Sequence, residues 1–151
     1  MAHAVNVGAT GGTAADRASI IAARPAYHAY LILHIGYAAL PIIAGLDKFF
    51  DRLVNWDMYL APVVPRMTGL TGHTFMLIVG VIEVAAGVLV ALMPRVGAVV
   101  VALWLWGIIV NLLLTPTGFY DIALRDFGLS LGALALARLA CEFGRRGTAS
   151  I

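Results

Sequence analysis

The sequence predicts an all-α integral membrane protein, a bundle of four transmembrane helices with short helices at the membrane surface. Of its 151 residues, 62% are hydrophobic and 12% are charged, whereas a typical soluble domain is about half apolar and about a quarter charged. The stretch Phe75–Met93 is 19 residues long and has one charged residue, Glu83. That length crosses the hydrocarbon of a bilayer, and three further apolar stretches flank it.

The chain divides into three parts: an N-terminal arm over 1–26, a membrane domain over 27–143 and a C-terminal tail over 144–151. In the arm, Thr13-Ala-Ala-Asp16 resembles a capping box with Asp in place of the commoner Glu. A short helix over 14–23 is expected to follow and to end before Pro25. It either lies on the membrane surface or docks on a partner subunit. The arm lacks the pattern of a secretory signal.

The first span is expected at about Tyr27–Leu46, which has no formal charge. Within it, Pro41 removes a backbone donor and leaves the carbonyl of Tyr37 without its usual partner, so a bend is expected there. The connection Asp51–Met67 is polar, and three of its residues recur at helical spacing: Trp56, Tyr59 and Leu60. This spacing predicts a short amphipathic piece at the lipid–water boundary, which the next two prolines end.

The second span is Phe75–Met93, a turn at Pro94-Arg95 follows it, and the third span is about Val96–Leu114. The fourth, about Tyr120–Leu139, is the weakest because its charge-free core has only 11 residues. A re-entrant or interfacial helix is the alternative. Small residues spaced four apart predict close helix packing: Gly128 with Gly132, Gly87 with Ala91, and Ala98 with Ala102.

Four crossings place both termini on one side of the membrane. That side then has six basic residues and the opposite side has four. The positive-inside rule therefore predicts that both termini are cytoplasmic.

Polar residues from all four spans are expected at the end of the bundle opposite the termini. Glu83 is predicted about 12 Å from that end of its span, with Lys48 or Arg125 as its counter-ion. Three further candidates are expected at this end: Asp47, Asp126 and Asn111. The cluster either fixes helix register or forms a small polar cavity for a quinone head group, another small redox substrate or a proton.

Two aromatic candidates lie elsewhere in the spans. Trp104 either fills space or forms a ligand wall near Asn111. His34 is expected in the core near the other end of the bundle. A membrane haem takes one axial ligand from each face, and His28 shares the helix of His34 but not its face, so no haem carried by this chain alone is expected. The single cysteine excludes a cysteine-rich metal site, no basic run indicates nucleic-acid binding, and no motif indicates hydrolysis or nucleotide binding.

Four segments carry a resemblance to a known family: Gly45-Leu-Asp-Lys-Phe-Phe50, Gly80-Val-Ile-Glu-Val-Ala-Ala-Gly87, Pro94-Arg95-Val-Gly-Ala and Tyr120-Asp-Ile-Ala-Leu-Arg-Asp-Phe-Gly128. Over about 27–143 the chain resembles the DoxX-like family of small four-helix bacterial membrane proteins. The resemblance implies a bacterial inner-membrane subunit linked to quinone-dependent oxidation, with Glu83 and Lys48 as its polar positions.

The function expected from the sequence is an accessory or quinone-facing subunit of an oxidoreductase, with other membrane subunits or further copies of itself as partners. No catalytic residue is identified, and the chain is not expected to be catalytic alone. Electrons come from a partner's cofactor or pass directly to a bound quinone. The alternatives are a small oligomeric carrier and a structural assembly subunit with no ligand.

Overall fold

The computed structural model describes residues 13, 16, 17, 19, 20 and 25–144, and these residues form helices and turns without any β-strand. The elements in chain order are α1 (Pro25–Asp47), a 3-10 turn (Trp56–Tyr59), α2 (Val63–Thr68), α3 (Gly72–Leu92), α4 (Pro94–Leu113) and α5 (Tyr120–Phe143). An all-helical fold is therefore confirmed.

The four long helices pack in a ring, each antiparallel to its two neighbours. The largest contacts join α4 to α5 and α1 to α3, and α3 with α4 and α1 with α5 close the ring. One end of the ring, here the loop end, has the connections 48–71 and 114–119. The other end, here the terminal end, has Pro25, the α3–α4 turn at Met93, and Gly144.

Three of these helices, α1, α3 and α4, are long and apolar enough to cross a membrane. The fourth predicted span coincides with α5, which runs four residues past the expected end at Leu139. This helix is long enough, but five charged residues interrupt its apolar character: Asp121, Arg125, Asp126, Arg138 and Glu142. The structure therefore supports a membrane protein with three candidate spans, and the number of crossings is decided by α5.

The second span begins earlier than the sequence predicted, at Gly72 rather than Phe75. Thr71 caps it, because its hydroxyl accepts a hydrogen bond from the backbone N–H of Thr74 at 3.2 Å. Glu83 then lies 11 residues after the start of α3, which puts it about 16 Å from the loop end of the helix rather than about 12 Å. The buried carboxylate is near the middle of its span.

Glycines bring α1 and α3 into backbone contact. A Cβ atom placed on Gly80 would lie 2.7 Å from the carbonyl oxygen of Gly45, and one on Gly87 would lie 2.6 Å from that of Ala38. These contacts leave no room for side chains at the two positions, so they fix the register of the two helices.

The predicted Gly128/Gly132 seam is used at one of its two positions. The Tyr37 hydroxyl donates a hydrogen bond to the carbonyl oxygen of Leu129 and occupies the space that a side chain at Gly132 would need. A Cβ atom on Gly128 would meet nothing within 4 Å. Gly132 is therefore required for packing on α1, and Gly128 faces outward.

The connection between α1 and α3 forms two short helical pieces where one was predicted. The 3-10 turn ends at Tyr59, and α2 then begins after Pro62. The first piece ends before Pro62, as expected, but Pro62 and Pro65 also begin α2, which was not predicted. They occupy the N-cap and first turn of α2, where the missing N–H of proline breaks no helical hydrogen bond.

The arm prediction is tested at few residues. The Thr13 hydroxyl and backbone N–H both donate to a carboxylate oxygen of Asp16, at 2.8 and 2.9 Å, and the Asp16 N–H returns a bond to the Thr13 hydroxyl at 3.2 Å. These bonds confirm the capping box and hold the pKa of Asp16 below its ordinary value. Most of the predicted helix over 14–23, and the tail from 145, lie outside the described residues.

Candidate functional site

A buried ion pair joins Lys48, which follows the last residue of α1, to Glu83 near the middle of α3. The Lys48 ammonium donates a hydrogen bond to a carboxylate oxygen of Glu83 at 2.6 Å. Their side chains are 3% and 9% exposed. Of the two counter-ions expected for Glu83, the structure selects Lys48. Burial removes both groups from water, so each depends on the other for compensation.

The glycine contact between the helices lets Lys48 reach Glu83. Lys48 follows the last residue of α1, and its Cβ would be 3.2 Å from a Cβ on Gly80. Gly80 lies about one helical turn before Glu83 on α3. The aliphatic part of Lys48 therefore begins beside Gly80, and its ammonium reaches the Glu83 carboxylate one turn further along α3.

Trp56 also contacts the ammonium group of Lys48. The Lys48 nitrogen lies 3.6 Å from the centre of the indole ring, a cation–π distance. The indole N–H donates to the Asp47 carboxylate at 2.9 Å. Asp47 also accepts from the backbone N–H groups of Arg52 and Leu53, at 3.1 to 3.2 Å. The carboxylate thus folds the loop back over the end of α1 and orients the indole over the lysine.

The candidate site is therefore a chain of four side chains: Asp47, Trp56, Lys48 and Glu83. The sequence prediction missed Trp56, which was assigned to the lipid–water boundary. The sequence does contain a pattern that could have indicated Trp56: an Asp-Lys pair ends a membrane helix, and a tryptophan follows nine residues after the Asp. It becomes informative only once the loop is known to fold back.

Asn111 positions this loop on α4 rather than lining the ion pair. Its side-chain N–H donates to the carbonyl oxygen of Tyr59 at 2.7 Å, and its carbonyl oxygen accepts from the N–H of Ala61 at 3.0 Å. Both ends of the amide are engaged by one segment of backbone, and Ala61 is fully buried. Asn111 therefore joins the 3-10 turn and the start of α2 to the loop end of α4.

Arg125 and Asp126 form a separate pair near the start of α5. The Arg125 Nε donates to an Asp126 oxygen at 3.4 Å, a long contact. Asp126 is buried, while the Arg125 side chain is 66% exposed. In the described structure, no hydrogen bond or ion pair connects this pair to Glu83.

His34 lies toward the terminal end and completes the α3–α4 turn. Its Nε2–H donates to the carbonyl oxygen of Val90 at 3.0 Å. In a continuous helix that carbonyl would accept from the N–H of residue 94, but Pro94 has none. His34 supplies the missing donor through its Nε2, so this ring nitrogen is engaged in the α3–α4 turn. Four aromatic rings cluster here: Tyr27, Tyr30, His34 and Phe143.

Trp104 lines a groove between α3 and α4. Five other residues complete the lining: Ile82, Ala86, Val100, Leu103 and Gly107. Within the described part of the chain, the Trp104 Nε1 is the one buried side-chain nitrogen or oxygen without a hydrogen-bond partner. The ligand-wall interpretation of Trp104 and its space-filling alternative both remain open.

The seven sequence candidates thus lie at five places, and two of them, Lys48 and Glu83, form the pair that was expected. Over the described ranges, no three His, Cys, Asp or Glu side chains are grouped so that they could hold a metal ion. Comparison with family models, curated proteins and solved structures found no match. The chemistry available at the candidate site is that of a buried charge pair connected through an indole and a carboxylate to the surface loop.

Proposed function

We propose that this chain is an accessory, quinone-facing membrane subunit of an oxidoreductase, located in a bacterial inner membrane with both termini cytoplasmic. All four long helices cross the bilayer in this proposal, and α5 is the fourth. Its support is the burial pattern of α5, whose buried residues recur from Ala123 to Phe143. A helix packed along its whole length on the candidate span α4 occupies the same layer. Arg125 and Arg138 at its two ends extend toward the headgroups.

The observation that carries the functional proposal is the Lys48–Glu83 pair. Ionisable side chains inside a membrane span are costly, and they more often serve function than packing. This pair lies deep in α3 and is connected to the surface through Trp56 and Asp47. Direct contacts thereby join the loop 48–71 to a carboxylate near the middle of α3. The resemblance to the DoxX-like family points to the same two residues.

The electrons in this proposal come from the redox centre of a partner subunit, and the quinone is the lipid-soluble acceptor. The chain itself supplies the membrane-embedded scaffold and the buried charges. The loop 48–71 is the segment closest to such a partner, and several of its large apolar side chains are exposed: Phe49, Phe50, Leu53, Met58, Val63, Met67 and Leu70.

A structural assembly subunit is the second candidate, and a specific observation favours it. The pair lies where Gly45 and Gly80 bring α1 and α3 into contact, so it also fixes their register. In that case the ion pair would stabilise one packing of the two helices and have no further role.

Gentle detergent extraction of the whole chain from native membranes tests the proposal. Mass spectrometry of the co-purifying proteins and lipid-soluble molecules should recover an oxidoreductase subunit, stoichiometric quinone, or both. Recovery of the chain without either would contradict the redox assignment.

Glu83→Gln separates the two candidates when activity is expressed per molecule of folded chain, because loss of one charge of the pair lowers stability under either role. A redox role predicts that quinone-dependent oxidation per folded molecule falls. A register role predicts that the amount and thermal stability of the chain fall while the activity per folded molecule is unchanged. Asp121→Asn is the matched control, because Asp121 is an exposed acid on α5. If Glu83→Gln behaves as wild type in both assays, Glu83 has neither role.

A further inference from the structure

The segment 51–56, here called the strap, follows Lys48 closely in the chain and folds back so that its last residue contacts the lysine. The Lys48 side chain is 3% exposed, although it follows the last residue of α1 at the loop end of the bundle. The Trp56 indole lies on its ammonium group, with 3.6 Å between the nitrogen and the centre of the ring. The burial of Lys48 therefore depends on a residue of the loop as well as on the helices.

One carboxylate holds the strap to the end of α1. The backbone N–H groups of Arg52 and Leu53 donate to Asp47 at 3.1 to 3.2 Å, and the Trp56 indole N–H donates to it at 2.9 Å. Asp47 is itself 8% exposed. Because all of these bonds end on a single group, loss of that group would release the beginning and the end of the strap together.

The strap is weakly packed along most of its length. Four of its six residues have exposed side chains: Asp51, Arg52, Leu53 and Asn55. Asp51 has a φ of 47°, and it is the one non-glycine residue with a positive φ in the described part of the chain. Side chains of L-residues are disfavoured in that region. Segments with few buried contacts open at a lower free energy than the whole protein unfolds, so the strap can open while the helices stay packed.

A second attachment limits how far the loop can open. The Asn111 side chain bonds the backbone of Tyr59 and Ala61 to α4. The Tyr59 ring also packs edge-on against Phe119, with 4.9 Å between the ring centres. Neither contact involves the strap. The loop is thus held at Asp47 and again from Tyr59 onward, and opening is confined to the residues between these two points.

We propose that the strap is a lid, whose opening admits water and small polar solutes from the aqueous phase at the loop end to the Lys48–Glu83 pair. Asp47 is its latch and Trp56 its cover. In the closed state the ammonium lies against both the Glu83 carboxylate and the indole ring. In the open state water replaces the ring, and the cation–π contact is lost. Access to the buried charges is thereby controlled at the loop, a property that goes beyond the proposed function and does not rest on it.

Lys48 is the single lysine of the chain, so an amine reagent measures the lid directly. The purified full chain in phosphatidylcholine nanodiscs is treated with the sulfonated N-hydroxysuccinimide ester of acetic acid, and acetylation of Lys48 is followed by peptide mass spectrometry. The reagent is charged and reaches the lysine from water. Arg66→Lys places a reference amine at an exposed position of α2. Lys48 should react at least about tenfold more slowly than residue 66 of that variant, because it reacts only when the strap is open.

Variants of the latch and the cover should open the lid. Asp47→Leu removes the acceptor, so Lys48 should react about tenfold to a hundredfold faster than in wild type, the effect of losing hydrogen bonds to a charged group. Asp47→Asn keeps one acceptor oxygen and should recover part of the protection. Trp56→Leu removes the ring and should act as Asp47→Leu does. Trp106→Leu is the matched control, because Trp106 is an exposed tryptophan of α4, and it should leave the rate unchanged.

A second pair of variants tests the lid at Asp51 without touching the latch or the cover. Asp51→Val places a β-branched residue at a positive φ, where it is strongly disfavoured. The closed state is destabilised, and Lys48 should react about fivefold faster. Asp51→Asn removes the same charge but tolerates the left-handed conformation, so it should react as wild type does.

Hydrogen exchange of the α3 amides in the same samples separates opening of the lid from unfolding of the bundle, and it should not change in the strap variants. Three results overturn the proposal: wild-type Lys48 reacting as fast as residue 66, slow reaction retained in both Asp47→Leu and Trp56→Leu, or faster reaction matched by equally faster exchange in α3. The second would show that the helices alone cover Lys48. Because the assay uses the purified chain, a failed lid leaves the redox assignment standing, and a membrane extraction without an oxidoreductase leaves the lid standing.

Discussion

Removing one member of the Lys48–Glu83 pair should destabilise the protein far more than removing both. Lys48→Met leaves a buried carboxylate without its cation, and Glu83→Leu leaves a buried ammonium without its anion. Each replacement is close in size to the residue it replaces, so the volume of the core changes little. The difference between the single and double variants then isolates the charge interaction.

The magnitude follows from the distance and the burial. At 2.6 Å and an effective dielectric constant of about 20, the attraction is about 6 kcal/mol. Burying each ion costs several kcal/mol, so the intact pair is close to neutral overall. Either single variant keeps one such cost without the attraction and should lose about 3–5 kcal/mol. The double variant should lie within about 1–2 kcal/mol of wild type, or above it.

Unfolding of the purified chain by sodium dodecyl sulfate in mixed micelles, followed by circular dichroism, measures these differences. Asp57→Asn is the control, because it removes an exposed pair with His73, 3.8 Å long, and should cost less than about 1 kcal/mol. Single variants that each cost less than about 1 kcal/mol and add in the double variant would refute the buried, coupled pair.

Three further predictions concern contacts that hold the ends of the bundle. His34→Phe leaves the Val90 carbonyl without a donor and should cost about 1–3 kcal/mol in the same unfolding assay, while His34→Gln, which keeps a donor, should recover part of it; equal losses would contradict the role assigned to His34. Asn111→Leu should release the loop it holds, seen as faster limited proteolysis between α1 and α3, and unchanged cleavage would count against it. Gly132→Ala should cost about 1–3 kcal/mol by displacing the Tyr37 hydroxyl from the space beside Gly132, whereas Gly128→Ala should be neutral or stabilising by up to about 1 kcal/mol; the opposite order would reject the packing described for α5.

The sequence predicted the helices well because their apolar runs are long and are bounded by turn residues. It missed the start of α3, since Gly72, His73 and Thr74 are outside the apolar run and belong to the helix through the cap at Thr71. The helix α2 was missed because proline is compatible with both the end of one helix and the first turn of the next. The number of crossings stays a prediction, since the charged residues of α5 argue against a membrane span while its packing along α4 argues for one.

The candidate site was predictable in part. A carboxylate within an apolar span requires a partner, and a lysine at the end of the preceding span was one of two choices. The choice between Lys48 and Arg125 depended on the backbone contact at Gly80, which the sequence alone does not show. Trp56 and Asn111 act through contacts formed by the folding of the loop, and Asn111 bonds residues 50 and 52 positions away. Pairings at such separations arise from tertiary structure.

The four-helix membrane bundle requires α5 to cross the bilayer, so the direct test is the side on which the C-terminus lies. Cys141 is replaced by Ser, and single cysteines are introduced as Thr117→Cys and Ser150→Cys. A membrane-impermeant maleimide added to intact spheroplasts should label residue 117 and should label residue 150 only after the membrane is permeabilised. Labelling of both positions in intact spheroplasts would show that α5 does not cross, and it would contradict the four-helix membrane bundle.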